Sequence, residues 1–169
     1  MLSLVSSQNT PIDDNHLVDD YHQWEISNQH GCYFHQHKNF KHAVTHFKIS
    51  ISISKRIKEN LPHLSHQKSG LEMLYISSHN LAACYNSEGQ CTKATQTLEE
   101  LHTCLMNISC HPNKIRALRL EALANLDKSL FSLCSQLAYM NRLNEIHEII
   151  MQTECLADHV SNELLEHYK

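Results

Sequence analysis

Histidine and cysteine are the side chains of this sequence that are best suited to chemistry. His42 and His46 are one helical turn apart, a spacing that would present two imidazoles to the same metal ion. His35 and His37 precede them, and Cys32 is the only nearby candidate for the further ligand that a dedicated zinc site needs. These residues could form a zinc site only if Cys32 supplied that further ligand.

The same histidines also fit an exposed helix surface. The chain has 15 histidines spread along its length, and His42 and His46 flank Ala43 and Phe47, which have the spacing of packing positions. We therefore predict no metal ion and no other cofactor. A histidine-based metal or pH sensor remains as a minor alternative.

No pattern of catalytic residues stands out. The sequence lacks a glycine-rich phosphate loop and an H-E-x-x-H motif, and no local motif pairs a cysteine with a histidine as nucleophile and base. Seven cysteines without a C-x-x-C pair indicate reduced thiols. We predict a cytoplasmic protein that is not an enzyme and has no catalytic residues.

Charge and hydropathy disfavour two classes of partner. The formal net charge of −4 disfavours general nucleic-acid binding, which needs a concentrated basic surface. No stretch approaches the roughly 18 apolar residues of a membrane span, and the first residues lack the basic and long apolar regions of a signal peptide. The expected partner is another protein or a peptide.

The elements that must position these residues are helices. Three glycines and three prolines are too few for an all-β fold, and apolar residues recur at helical spacing. Helices are expected over about residues 13–36, from 40 to before Pro62, and over about 67–87, 91–108, 114–140 and 143–164. We predict a flexible tail over residues 1–11 and one all-α domain over residues 12–169.

Part of the second predicted helix has the pattern of a strand. Isoleucine and serine alternate from Ile49 to Ser54, as in a half-buried strand. The sequence offers no second strand to pair with it, and a lone strand would leave its backbone polar groups unsatisfied. We therefore predict a helix, with Ile49 and Ile53 on one side and Ile51 roughly opposite.

Five columns of residues recur at offsets of 51 and 52 along the chain. They follow the order small, large, large, small, large, and the third unit is the most degraded. The columns are Gly31, Ala82 and Cys134; Phe34, Tyr85 and Leu137; Phe40, Cys91 and Leu143; Ala43, Ala94 and Ile146; and Phe47, Leu98 and Ile150. They predict three similar helix hairpins, although any six amphipathic helices can be aligned in this way to some degree.

These columns resemble the tetratricopeptide repeat, which has a small residue, an aromatic three residues later, and then Ala-x-x-x-Phe. The matching residues are Gly31, Phe34, Phe40, Ala43 and Phe47 in the first unit, and Ala82, Tyr85, Gly89 and Ala94 in the second. The sequence departs from the family in the early position of Trp24, the missing closing proline, and a period about 17 residues longer than 34. The resemblance implies a right-handed array of three antiparallel helix hairpins, a tetratricopeptide-like α-solenoid of six helices.

The resemblance also implies a concave groove lined by the first helix of each unit. The family's groove positions fall on Asn28, Cys32 and His35, on His79, Ala83 and Asn86, and on Lys128, Phe131, Ser135 and Tyr139. Phe131 and Tyr139 would supply most of the affinity, unless they are buried core of the degraded last unit. The groove has too few Lys, Arg and Asn residues to predict capture of a C-terminal carboxylate.

These expectations favour a non-enzymatic protein–protein interaction module, an adaptor or chaperone-like protein that binds a peptide or helix in its concave groove. The alternative is a self-associating structural module, a homo-oligomer, because Leu156, Val160 and Leu164 of the last helix have no following unit to cover them. The basic run from Lys48 to Lys58 would either attract an acidic partner or form a solvated helix end.

Overall fold

A computed structural model describes the backbone of residues 14–59 and 68–166, and the side chains of residues 18–59 and 68–165. Over these residues the protein is all-α, with six helices and no strand, as predicted. The helices are α1 (Asp14–Gln36), α2 (Phe40–Ile57), α3 (Gly70–Ser87), α4 (Cys91–Cys110), α5 (Arg116–Tyr139) and α6 (Leu143–Glu166). None of them is long and apolar enough to cross a membrane. The predicted tail lies outside the described residues.

The segment with alternating isoleucine and serine lies inside α2, so its helical interpretation is confirmed. The predicted faces are partly wrong, because Ile53 is buried but Ile49 is 43% exposed. Ser50 and Ser54 are instead fully buried, and each donates its hydroxyl to the carbonyl four residues earlier, at 3.2 and 2.8 Å. Because these hydroxyls are satisfied on their own helix, serine can occupy the buried face of α2.

Three of the helix connections form the same turn. Lys38, Gly89 and Asn141 have positive φ angles of 57°, 72° and 58°, and they lie 51 and 52 residues apart. In each turn the following residue donates its N–H to a carbonyl five residues back, at 2.8, 2.8 and 2.9 Å. This hydrogen bond belongs to the Schellman motif, which closes a helix at a residue in the left-handed conformation. The three turns pair α1 with α2, α3 with α4, and α5 with α6.

Helices that are consecutive in sequence pack against each other throughout the described chain. In addition, α1 contacts α3, α3 contacts α5 and α4 contacts α6, whereas no Cα atom of α2 lies within 8 Å of one of α4. The close approach of α1 and α2 depends on Gly31, where a Cβ would lie 2.5 Å from Cε1 of the buried Phe47 ring. The predicted packing of a small residue against an aromatic ring is therefore present in the first helix pair.

The apolar core runs through all three helix pairs. One cluster joins Phe47 of α2, Leu81 of α3, Leu98 of α4 and Leu137 of α5. A second cluster joins α3, α4 and α5 at the other end of these helices. A third surrounds Trp24, which bridges α1 and α3. Every helix pair therefore contributes side chains to the apolar core.

The last helix is better covered than the sequence suggests. Val160 and Leu164 are buried within the chain, and Leu156 is half-buried against the second cluster. The expectation that these side chains lack cover is therefore wrong. Arg119 of α5 forms an ion pair with this helix. Both terminal nitrogens of its guanidinium donate to the Glu163 carboxylate, at 3.0 and 2.8 Å.

Candidate partner-binding face

The groove residues predicted on α1 lie against α3. Asn80 donates its side-chain N–H to Oδ1 of Asn28 at 3.1 Å and approaches the Cys32 sulfur at 3.9 Å. One turn further on, the imidazole of His35 is hydrogen-bonded to the Ser87 hydroxyl at 3.1 Å. The structure thus brings Asn28, Cys32 and His35 together along one seam, where they are half-buried and already have partners.

The groove residues predicted on α3 divide into two kinds. Asn86 exchanges two side-chain hydrogen bonds with Gln136 of α5, at 2.7 and 3.0 Å. His79 and Ala83 are exposed, and the His79 ring is stacked beside Tyr75 with ring centroids 6.0 Å apart. Asn86 therefore ties α3 to α5, and His79 and Ala83 remain on the outer surface.

The four groove residues predicted on α5 are all exposed. Phe131 is 75% exposed and Tyr139 is 74% exposed, so the alternative that they belong to the buried core is wrong. Ser135, which lies between them, donates its hydroxyl to the carbonyl of Phe131 at 2.8 Å. Lys128 adds a positive charge one turn before Phe131. We call this set of Lys128, Phe131, Ser135 and Tyr139 the α5 face.

The α5 face occupies the predicted groove positions of the last helix pair. In the alignment of the helix pairs, Phe131 and Ser135 correspond to Asn28 and Cys32, which contact the first helix of the next pair. The corresponding residues of the second pair, His79 and Ala83, are exposed although α5 follows α3, so these positions are open in both the second and the third pair. Two large aromatic side chains in solvent at such a position form a surface suited to another helix or peptide.

Sequence reasoning missed a polar cluster where α1, α3 and α5 meet. Ser69 caps α3 by accepting the N–H of Glu72 at 3.0 Å, and it donates its hydroxyl to the Glu121 carboxylate. Burial, with a smaller contribution from the nearby Glu72 charge, raises the pKa of Glu121 to about 7. The Tyr21 hydroxyl is buried and has no hydrogen-bond partner within the described residues. The Ser-x-x-Glu pattern at Ser69 was the one available sequence signal, a capping box at the start of a helix.

Glu121 is expected to make stability depend on pH. Its pKa is raised from 4.5 to about 7 on folding, so the native state holds more protons between these values and stability falls as pH rises through 7. Allowing for partial solvent exposure, we expect wild type to lose about 1 kcal/mol between pH 5 and pH 8 relative to Glu121→Gln. Urea unfolding of both proteins at the two pH values measures the difference. Parallel pH profiles would contradict the expectation.

The histidines of the first helix pair form an aromatic cluster rather than a ligand set. The His46 ring stacks on Phe34 with centroids 5.4 Å apart, and His42 lies on the same ring at 5.3 Å. Burial and the neighbouring His30 and His42 lower the pKa of His46. Among the described residues, no group of three or more His, Cys, Asp or Glu side chains is arranged to hold a metal ion.

Comparison with known proteins places the chain in a family but not in a functional class. A family model described as a protein of unknown function (DUF2753) matches residues 22–169, so the chain belongs to this family. No curated protein and no solved structure matches the chain. The matched residues include all of α2 to α5 and the whole α5 face.

Proposed function

We propose that this member of the DUF2753 family is a non-enzymatic adaptor or chaperone-like protein that binds a peptide or helix of another protein in the cytoplasm. We also infer that its three helix pairs form a right-handed, tetratricopeptide-like solenoid with α1, α3 and α5 along its concave side. The repeated turns and the contacts of α1 with α3 and of α3 with α5 support this arrangement.

The exposed aromatic pair on α5 is the observation that carries the proposal. Phe131 and Tyr139 each present most of a large ring to solvent, and such residues dominate binding energy when a partner covers them. Lys128 adds a positive charge near the rings, and Ser135 adds a small polar side chain between them.

We expect Phe131→Ala combined with Tyr139→Ala to weaken partner binding about 30-fold or more, because each ring is a candidate hot spot. The partner is first identified by crosslinking and mass spectrometry in the native cell, and the dissociation constant is then measured with both purified proteins. Ile49→Ala is the matched control, because it also removes an exposed apolar side chain but lies on α2. Equal affinity of the double variant and wild type would refute the role of the α5 face.

Self-association through the same face is the second candidate function. The last helix pair adds two further exposed apolar side chains, Leu143 and Met151, and exposed apolar surface favours association. Light scattering from about 1 to 100 μM separates the two functions, since dimers at these concentrations imply at least micromolar affinity. A strict monomer throughout this range would rule out self-association without affecting the adaptor proposal.

A further inference from the structure

A groove opens between α2 and α4, the second helices of the first two pairs, which have no Cα atoms within 8 Å of each other. Helix α3 forms its floor, and the cavity has a volume of about 400 Å³. A second opening continues along the same two helices toward Asn107 and shares Lys55 and Cys104 with the first. Packed helices normally lie 8–10 Å apart, so the lack of contact between α2 and α4 leaves space above α3.

The floor of this groove is an apolar stripe on α3. Leu74, Ser78, Leu81 and Tyr85 follow each other at spacings of four, three and four residues, so they lie along one side of the helix. Ile51 of α2 adds an apolar side chain from one wall. The four side chains of the stripe are only 2 to 7% exposed, so apolar side chains of a ligand would reach them through the opening between α2 and α4.

The rim of the groove is basic at one end. Lys48 and Lys55 project from α2 and have no ion pair or hydrogen bond with any residue that the structure describes, and Lys93 faces them from α4. The carboxylate that also lines this opening, Glu100, accepts a hydrogen bond from Gln96 at 3.1 Å. The second opening adds Lys58 and Glu99, so lysines still outnumber carboxylates along the groove, although the chain as a whole carries a formal charge of −4.

We propose that the α2–α4 groove binds an acidic amphipathic α-helix of a partner protein. An extended peptide would place unpaired backbone groups against the apolar floor, whereas a helix satisfies its own backbone hydrogen bonds. Leucine-like side chains at helical spacing fit the stripe on α3, and carboxylates on the flanks face Lys48, Lys55 and Lys93. Complementary charge of this kind sets the orientation and the choice of partner more than the affinity.

This site is separate from the α5 face and does not depend on it. The groove is lined by α2, α3 and α4, whereas Phe131 and Tyr139 lie on α5. A variant in one surface should therefore leave binding at the other unchanged. That independence allows failure of the groove proposal and failure of the adaptor proposal to be distinguished.

Two synthetic helical peptides test the proposal by fluorescence anisotropy against the full chain. The acidic probe carries leucines at the spacing of the α3 stripe and glutamates on its flanks, and its counterpart replaces every glutamate with lysine. We expect micromolar binding of the acidic probe, about tenfold weaker binding to Lys48→Glu combined with Lys55→Glu, and no binding of the basic probe. Lys41→Glu, an exposed lysine of α2 outside the groove, is the control and should bind like wild type.

Thiol alkylation locates the bound probe. Cys104 is half-buried in the groove, whereas Cys155 is exposed on α6, so the acidic probe should slow alkylation of Cys104 and leave Cys155 unchanged. Binding that is lost with Phe131→Ala and Tyr139→Ala instead would assign the probe to the α5 face and overturn the proposal. The proposal would also be overturned if both probes bound equally or if neither bound. Protection of Cys104 by palmitate and not by the peptide would overturn it too, and would indicate that the groove binds an anionic lipid.

Discussion

Replacing Gly70 with alanine is expected to lower the free energy of unfolding by about 3 kcal/mol or more. Gly70 is the first residue of α3 and is buried against the end of α2. A Cβ at this position would overlap the backbone carbonyl of Ile57. A backbone group cannot rotate away as a side-chain end can, so the substitution must separate α2 from α3 or shift the start of α3.

The other two glycines serve as graded controls for this prediction. Gly89→Ala adds a Cβ with nothing within 4 Å, so only its φ of 72° matters, and the expected cost is about 1 kcal/mol. Gly31→Ala displaces the Phe47 ring, which lowers stability, but the higher helix propensity of alanine offsets this loss by about 1 kcal/mol. Urea unfolding followed by circular dichroism measures all three. Equal destabilisation by Gly70→Ala and Gly89→Ala would show that α2 and α3 do not approach as closely as described.

Glu163→Ala is expected to cost about 3 kcal/mol, because it leaves a buried guanidinium without its carboxylate. Arg119 is 4% exposed, and its Nε donates to the carbonyl of Ser109 at 2.8 Å while its terminal nitrogens bind Glu163. This loss of unfolding free energy lies toward the lower end of the range for buried ion pairs, because the Glu163 side chain is 34% exposed. Urea unfolding at neutral pH measures the change.

Glu145→Ala is the matched control for the buried pair. Glu145 also binds an arginine through two nitrogens, those of Arg142, but this pair lies on the surface and contributes little to stability. We expect the control to unfold close to wild type. If Glu163→Ala and Glu145→Ala unfolded at the same urea concentration, the contact between α5 and α6 would not depend on the buried ion pair.

The sequence predicts the helices and their pairing because both depend on local information. Apolar periodicity marks each helix, and the positions of Lys38, Gly89 and Asn141 follow the 51- and 52-residue offsets found in the apolar columns. The packing of α1 against α3 follows less directly. It depends on contacts such as that of Asn28 with Asn80, which join residues 52 positions apart.

Features that depend on the distance between helices could not be predicted in this way. The apolar periodicity of α3 shows that Leu74 and Leu81 face inward, but it does not show that α2 and α4 leave a groove above them. The same limit explains the error at Ile49, where a small serine occupies the buried position and the larger isoleucine lies outside. Glu121 was missed because its raised pKa arises from burial by α1 and α3, which periodicity within α5 does not show.

The order of packing along the chain has a consequence for how the protein folds. Within the described residues each helix contacts its neighbours in sequence and at most the helix after next, so no Cα atom of α1 or α2 lies within 8 Å of one of α5 or α6. Loop closure is then inexpensive at every step, and chains dominated by near-neighbour contacts fold quickly for their size. We expect folding to begin in any of the three helix pairs and to spread to the adjacent one, as nearest-neighbour models of repeat arrays describe.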